Sequence, residues 1–430
     1  MRIAIVGSGI SGLGSAWLLQ RQGHHVTLFE TDPRLGGHTH TVDVTLDGVT
    51  APVDTGFLVF NDRTYPKLVA LFDELGVRSV PSEMSFAVRV DDLDIEWAGT
   101  DLRAVFAQPR NALRAGFWRM LADIVRFNRA ATASVDGEPG SVQTLEAFLD
   151  HGNYSAPFRD WYLLPMAAAI WSAPRREILA FPLRTFVRFC RNHGLLQLSD
   201  RPQWRTVAGG GRSYVERIAE RLHDVRLSTP VTRIHRGPRG VDIHTPERAE
   251  QFDEVVLACH SDQALALLAD PSAGEIQQLR RVRYQPNRVV LHTDASLLPR
   301  RRRTWSAWNY LACADGDGER PVCVSYLVNK LQPLPFDRPV IVTLNPAREP
   351  DPRWVLREFA YDHPLLDAAA IQAQAAVNAL QGLRHTWYAG AWLGYGFHED
   401  GLASAHAVAA GIDRRAQAIA TASPSRRIAA

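Results

Sequence analysis

Lysine is nearly absent from this chain. Lys67 and Lys330 stand alone among 48 basic residues, and 46 acidic residues leave a formal net charge of +2. So even a balance gives no general case for a nucleic-acid partner, which needs a basic excess against phosphate. Cysteine is scarce too. Cys190, Cys259, Cys313 and Cys323 lie far apart, with no CxxC pair and no Cys/His ligand spacing. That pattern argues against a disulfide framework and a structural metal site, and for a reducing compartment. No apolar run reaches 18 residues, so no membrane span is expected. Met1-Arg2-Ile3-Ala4-Ile5-Val6 enters an apolar segment without the features of a signal peptide. These observations predict a cytoplasmic protein with no bound metal. What is present is ordinary for a globular chain of 430 residues: 46% hydrophobic, 22% charged, 30 glycines and 26 prolines. The length allows two or three domains.

Residues 3 to 30 read as one βαβ unit. Ile3-Ala4-Ile5-Val6 is a short apolar strand, Gly7-Ser8-Gly9-Ile10-Ser11-Gly12 a turn, and Leu13 to Gln22 a helix ending at Gly23. His25 to Glu30 is the next strand, closing on an acid eighteen residues after Gly12. In a GxGxxG turn the first glycine makes the bend and the second admits a pyrophosphate. The third lets helix and strand pack closely. The helix N-terminus offers free N–H groups to phosphate, and Glu30 suits the ribose hydroxyls of FAD or NAD rather than NADP.

Farther on, the patterning predicts a helix over 66–75, β-structure over 85–97 and helix over 102–133 with a break at Pro109. A mostly helical stretch follows over 142–222, with a loop at 208–213. Strands are expected at 225–234, 240–245 and 252–258, and a second sheet at 288–293, 322–328 and 339–344. An Ala-rich helix is expected over 365–380. The predicted fold is α/β: a Rossmann-type nucleotide domain interleaved with a mixed-sheet plus helices substrate domain. The first is assigned residues 1–82, 203–283 and 376–420, the second 83–202 and 284–375, with a flexible tail over 421–430.

Six residues after Glu30 comes Gly36-Gly37-His38-Thr39-His40-Thr41, where paired glycines permit close backbone passage by a bulky ligand. With Val53-Asp54-Thr55-Gly56-Phe57, Tyr65-Pro66 and Val231-Thr232-Arg233-Ile234, this segment resembles the fingerprints of the flavin amine oxidase superfamily. Trp387-Tyr388-Ala389-Gly390 through Asp400-Gly401-Leu402 resembles that family's C-terminal flavin motif. The resemblance implies FAD, held by Gly7, Gly9, Ser11, Gly12, Glu30, Gly36, Gly37, His38, Thr39, Gly56, Phe57, Val231, Gly390, Asp400 and Leu402. Usual members carry Arg where this chain has His38. A covalent bond from His38 or His40 to the flavin stands beside the simpler reading of backbone contact alone.

A narrower resemblance rests on the segments 162–172, 192–196, 201–207, 260–265, 290–294 and 305–310. They are similar to bacterial flavin oxidoreductases found beside, or fused to, cyclopropane-fatty-acid synthases. That resemblance implies action on a lipid-like substrate, desaturation of a methylated or cyclopropanated acyl chain, and a methyltransferase of that kind as pathway partner. The family's amine oxidases place a lysine on the first substrate-domain strand, where this chain reads Tyr284-Gln285-Pro286-Asn287-Arg288-Val289. Asn287 in the lysine slot and His398 near the amine-caging aromatic are therefore the candidate catalytic wall residues, with His398 able to receive a proton. An amine or carotenoid oxidase remains a rival, as does a redox-neutral flavin enzyme or a lipid-binding flavoprotein.

Two features suggest contact with the inner face of a membrane. Phe117, Met120, Leu121 and Ile124 form one helical stripe, with Arg119, Arg126 and Arg129 elsewhere on the helix. Arg300-Arg301-Arg302-Arg303 beside Trp305 and Trp308 suits a headgroup or an acyl carboxylate. The alternatives are an ordinary packed helix and a solvated turn.

Overall fold

Ile3, Ala4 and Ile5 are fully buried on both faces of a strand, as a continuous apolar run predicts for a parallel sheet. That strand, Arg2–Val6, lies at the centre of five parallel strands. His25–Phe29 and then Asp224–Arg226 flank it on one side, Glu254–Leu257 and then Thr386–Tyr388 on the other. The computed structural model describes residues 1–135, 143–196, 201–312 and 322–422. Cys313 and positions 423–430 of the expected tail lie outside the described residues.

The first helix, Ile10–Arg21, starts inside the glycine motif rather than after it. Gly12 permits this: a Cβ there would stand 1.9 Å from the Gly7 carbonyl oxygen. The helix packs along His398–Ala422 at Gly14, where a Cβ would meet Leu402 at 2.7 Å.

A second, seven-stranded sheet carries the other half of the fold. Its order is Val355–Leu365, Arg283–His292, Ile341–Leu344, Cys323–Leu327, Trp308–Ala312, Phe86–Val90, Ile95–Ala98. All its pairings are antiparallel except that of Trp308–Ala312 with Phe86–Val90. Several strands escape the sequence pattern, the paired Thr41–Leu46 and Val49–Asp54 and the strand Trp308–Ala312 among them. Trp204–Val207 lies within a stretch read as mostly helical, and Val355–Leu365 pairs with Arg283–His292 along almost its whole length.

The expected helix over 102–133 is three pieces: Leu102–Val105, a 3-10 turn Pro109–Leu113, and Ala115–Val135. Phe117 and Met120 are fully buried in the core beside the seven-stranded sheet, with Leu121 and Ile124 packed against it. The apolar stripe therefore faces inward, which overturns its assignment as a lipid contact. Two of the four arginines of 300–303 are also engaged within the protein. Arg300 pairs with Asp91, and Arg301 with Glu96. Among the described residues no helix is long and apolar enough to cross a membrane.

Candidate cofactor and substrate site

The two glycine-rich turns meet at the C-terminal end of the parallel sheet. Gly7 (φ +100°) donates its N–H to the Phe29 carbonyl at 2.9 Å, and Gly36 (φ +108°) donates to the Ser8 carbonyl at 3.0 Å. Side chains are barred at both. A Cβ on Gly36 would lie 2.5 Å from the Thr39 carbonyl oxygen, and one on Gly37 3.1 Å from Gly9 Cα. Gly9 differs. It caps the first helix with no side chain bonded there, and a Cβ on it would meet nothing within 4 Å. Glu30 ties the turn together. Its Oε2 accepts from Ser8 N–H at 2.8 Å and Ser8 Oγ at 2.5 Å, and its Oε1 accepts from Asp32 N–H at 2.9 Å.

One cavity of about 1310 Å³ runs from this turn to the seven-stranded sheet and its helices. It exceeds the ~300–1,000 Å³ usual for a small ligand, so a dinucleotide and a substrate can share it. Of the predicted cofactor residues, Gly7, Gly9, Ser11, Glu30, Gly36, Gly37, His38, Gly56, Phe57, Val231 and Gly390 line it. Gly12, Thr39, Asp400 and Leu402 do not. Gly12 serves helix packing, and Leu402 is buried against Gly14. Thr39 Oγ1 lies 2.5 Å from the Tyr214 hydroxyl. Asp400 accepts the Phe397 N–H at 3.0 Å, and burial pushes its carboxyl up to about 6.

This lining fits FAD. The uncapped helix end behind Gly9 has donors and dipole for the pyrophosphate, and the open side of Gly9 leaves room for it. Glu30 keeps acceptor capacity for ribose hydroxyls beyond its three bonds, because an ionised carboxylate offers about four lone-pair sites. His38 Nε2 is buried, lines the cavity and has no hydrogen-bond partner among the described residues, which suits a group that bonds a ligand held there.

His38 sits in a nest of rings: Tyr361 at 5.2 Å, His363 at 5.5 Å and His260 at 6.4 Å between centroids. Burial first, then these neighbouring imidazoles, lowers His38 to about 3, so it is neutral at physiological pH. His40 does not line the cavity. Its Nδ1 lies 2.9 Å from the Tyr361 hydroxyl, which also bonds Thr55 at 2.7 Å. Tyr361 and His363 are wall residues that sequence reasoning missed. Alternation along 355–363 (Val, Arg, Phe, Tyr, His at every second position) was the available signal.

The structure separates the two catalytic candidates: His398 lines the cavity and Asn287 does not. The Asn287 side-chain amide donates to the backbone carbonyls of Gln285 (2.9 Å) and Tyr361 (3.2 Å), while its Oδ1 accepts from Asn345 at 2.8 Å. Buried and fully engaged, it braces the strand that carries Tyr361 and His363. His398 does line the cavity, stacked on Phe57 at 3.7 Å, with Nε2 2.8 Å from Thr39 Oγ1 and 3.2 Å from the Tyr214 hydroxyl. Burial lowers it to about 3, so the ring is neutral at physiological pH.

Beyond His398 the walls turn aromatic and aliphatic: Phe86, Trp97, Tyr162, Met166, Ile170, Trp171, Phe189, Trp204, Trp308, Tyr326 and Phe397. Neither lysine of the chain lines the cavity. Glu83, the carboxylate beside Met84 and Phe86, is neutralised by Lys330 at 2.9 Å to both its oxygens.

The comparisons agree with this arrangement. The family model described as flavin containing amine oxidoreductase matches residues 10–332, about three quarters of the chain. Carotenoid phi-ring synthase of Streptomyces griseus is 29% identical over 319 residues, 67% of this chain and 58% of that protein. The chain thus matches little more than half the length of that relative. Among solved structures, cyclohexylamine oxidase from Brevibacterium oxydans has a TM-score of 0.69 at 17% identity, covering 97% of this chain and 99% of its own. A CLA-producing fatty acid isomerase from P. acnes has 0.66 at 17%, covering 96% and 98%. At such identities these two show the fold alone. The match over residues 10–332, together with the glycine cradle that fits the dinucleotide, places this chain in the flavin-containing amine oxidoreductase family, with FAD as its cofactor.

Proposed function

We propose that the protein takes a hydride from an acyl chain and leaves a carbon–carbon double bond, acting on a methyl-branched or cyclopropanated lipid. One observation carries this reading: beyond His398 the cavity is walled largely by aromatic and aliphatic side chains, and the Glu83 carboxylate among them is paired with Lys330. An ammonium ion would find the Glu83 carboxylate there already paired with Lys330, whereas a hydrocarbon chain loses only its water. A carotenoid enzyme among the relatives agrees with an apolar substrate.

When bound, FAD supplies the two-electron acceptor for the hydride. The chain's residues do the rest. Trp171, Phe189 and Phe397 exclude water and fix the acyl chain so that one C–H bond faces the cofactor. The proton from the neighbouring carbon goes to His193. Its Nδ1 donates to the Phe189 carbonyl at 3.0 Å, which leaves Nε2 as the bare acceptor, and burial lowers the ring to about 4, so it is neutral. A methyltransferase that branches or cyclopropanates the chain would act before this enzyme.

Lipid profiling of a strain lacking the gene tests the reading. Loss of an unsaturated branched acyl species, with its saturated precursor accumulating, is expected. An unchanged lipid profile with an altered amine pool would contradict it.

A further inference from the structure

Large apolar side chains meet water around the start of the helix Ala115–Val135. Leu113 is 89% exposed, Leu102 77%, Trp118 52% and Leu93 42%. They are neighbours rather than scattered residues. The Trp118 indole donates to the Ala112 carbonyl at 2.8 Å, Arg114 donates to the Leu93 carbonyl at 3.2 Å, and Trp118 lies 5.4 Å from Phe106, one turn after Leu102. Contiguous exposed apolar surface on a folded protein marks an interaction site.

Charge selects the partner. The helix Leu102–Val105 packs against the turn Arg302–Thr304, which brings the end of the four-arginine segment to the patch. Arg103 and Arg303 are exposed and make no ion pair among the described residues. The nearby acids are mostly engaged: Asp94 by Arg110, and Asp101 as the cap of the Leu102 helix. Gly99 and Thr100, just before Leu102, are exposed and line the cavity, so the patch borders an opening.

We infer that the surface formed by Leu93, Leu102, Leu113 and Trp118 docks on an anionic lipid bilayer, with Arg103 and Arg303 at the headgroups and Gly99–Thr100 as the entry for an acyl chain. Apolar side chains reach the acyl boundary while the guanidinium groups remain among the phosphates. The entry part of this inference rests on the acyl-substrate reading; the docking does not.

Flotation of the FAD-loaded protein with vesicles tests it. Phosphatidylcholine vesicles containing about a third phosphatidylglycerol should carry the protein, at least about tenfold more than phosphatidylcholine alone, with release at high salt. Leu113→Glu and Arg303→Glu, both at exposed positions, should each cut flotation severalfold and leave the flavin spectrum unchanged. Equal failure to float on both vesicle types would overturn the inference. So would a wild-type dimer that Leu113→Glu converts to a monomer, since a second copy would then cover the patch. Flotation without any lipid-dependent flavin reduction would instead refute the substrate reading and leave docking intact.

Discussion

The Glu30 carboxylate is bonded to Ser8 twice, at 2.8 Å from its backbone nitrogen and 2.5 Å from its hydroxyl. An acid at the end of the second strand therefore shapes the glycine turn while it lines the cavity, where the expected ribose contact would be made.

Replacing Glu30 by Ala should remove charge-assisted hydrogen bonds worth about 1.5–3 kcal/mol, so FAD affinity should fall roughly tenfold or more. Ser8→Ala removes only the hydroxyl bond and should cost less. Titration of apo-protein with FAD, followed by flavin fluorescence, checks both. Unchanged affinity in Glu30→Ala would mean that the carboxylate serves the turn alone.

Gly9 and Gly12 should respond oppositely to the same substitution. Gly9→Ala meets nothing within 4 Å and keeps an allowed φ of −63°, so the apo fold should melt normally while FAD binding weakens. Gly12→Ala drives a methyl to 1.9 Å from the Gly7 carbonyl and should destabilise the fold by about 1–3 kcal/mol or more. Thermal melts of the two apo variants, with FAD titrations, separate the effects. Equal melting temperatures would contradict the packing role of Gly12.

His292 should make the fold acid-sensitive. It is fully buried, its Nδ1 accepts the Asp294 N–H at 3.1 Å, and its Nε2 lies 2.8 Å from Thr343 Oγ1. Burial lowers it to about 4 from the ordinary 6.5. The unfolded chain binds the proton that the folded chain refuses. This contribution to stability is therefore complete above pH 6.5 and is lost as pH falls toward 4. The loss should be about 1 kcal/mol over the first pH unit below 6.5. Urea midpoints at several pH values should fall less steeply for His292→Gln than for wild type. Parallel slopes would contradict a neutral buried ring.

His398 should leave no mark on the pH profile of turnover near neutrality, because burial holds it at about 3. His398→Phe keeps a ring against Phe57 and loses the bond to Thr39. Turnover should fall with the shape of the profile unchanged. Disappearance of a limb between pH 6 and 8 would show that His398 does titrate in the working enzyme.

Much of the cofactor half was legible because local rules and the fold agree there. The strand, the glycines and Glu30 fall in register, and Gly76 ends the predicted helix Pro66–Leu75 with φ +67°. The wall carrying Tyr361 and His363 was not legible. Its strand is half polar, since the outward Glu358 pairs with Arg288 across the ladder, and an apolar-run reading passes over it. Asn287 failed for a related reason. Side chains alternate between faces of a strand, so a shift of one position changes which residue meets the cavity. The Phe117–Met120 stripe was correctly seen as amphipathic, but a helical period cannot say whether its apolar face meets lipid or protein. Packing of Phe117 against Trp97 and Phe106 decides that.

Anaerobic bleaching of the bound flavin tests the central claim most directly. Holo-protein in an oxygen-free cuvette receives methyl-branched or cyclopropanated phospholipid dispersed in detergent, and, separately, primary amines and polyamines. A largely aromatic and aliphatic chamber whose Glu83 is paired with Lys330 should admit the lipid, so the yellow absorbance should fade with lipid and persist with amines. Rapid bleaching by an amine, with none by any lipid, would contradict the account.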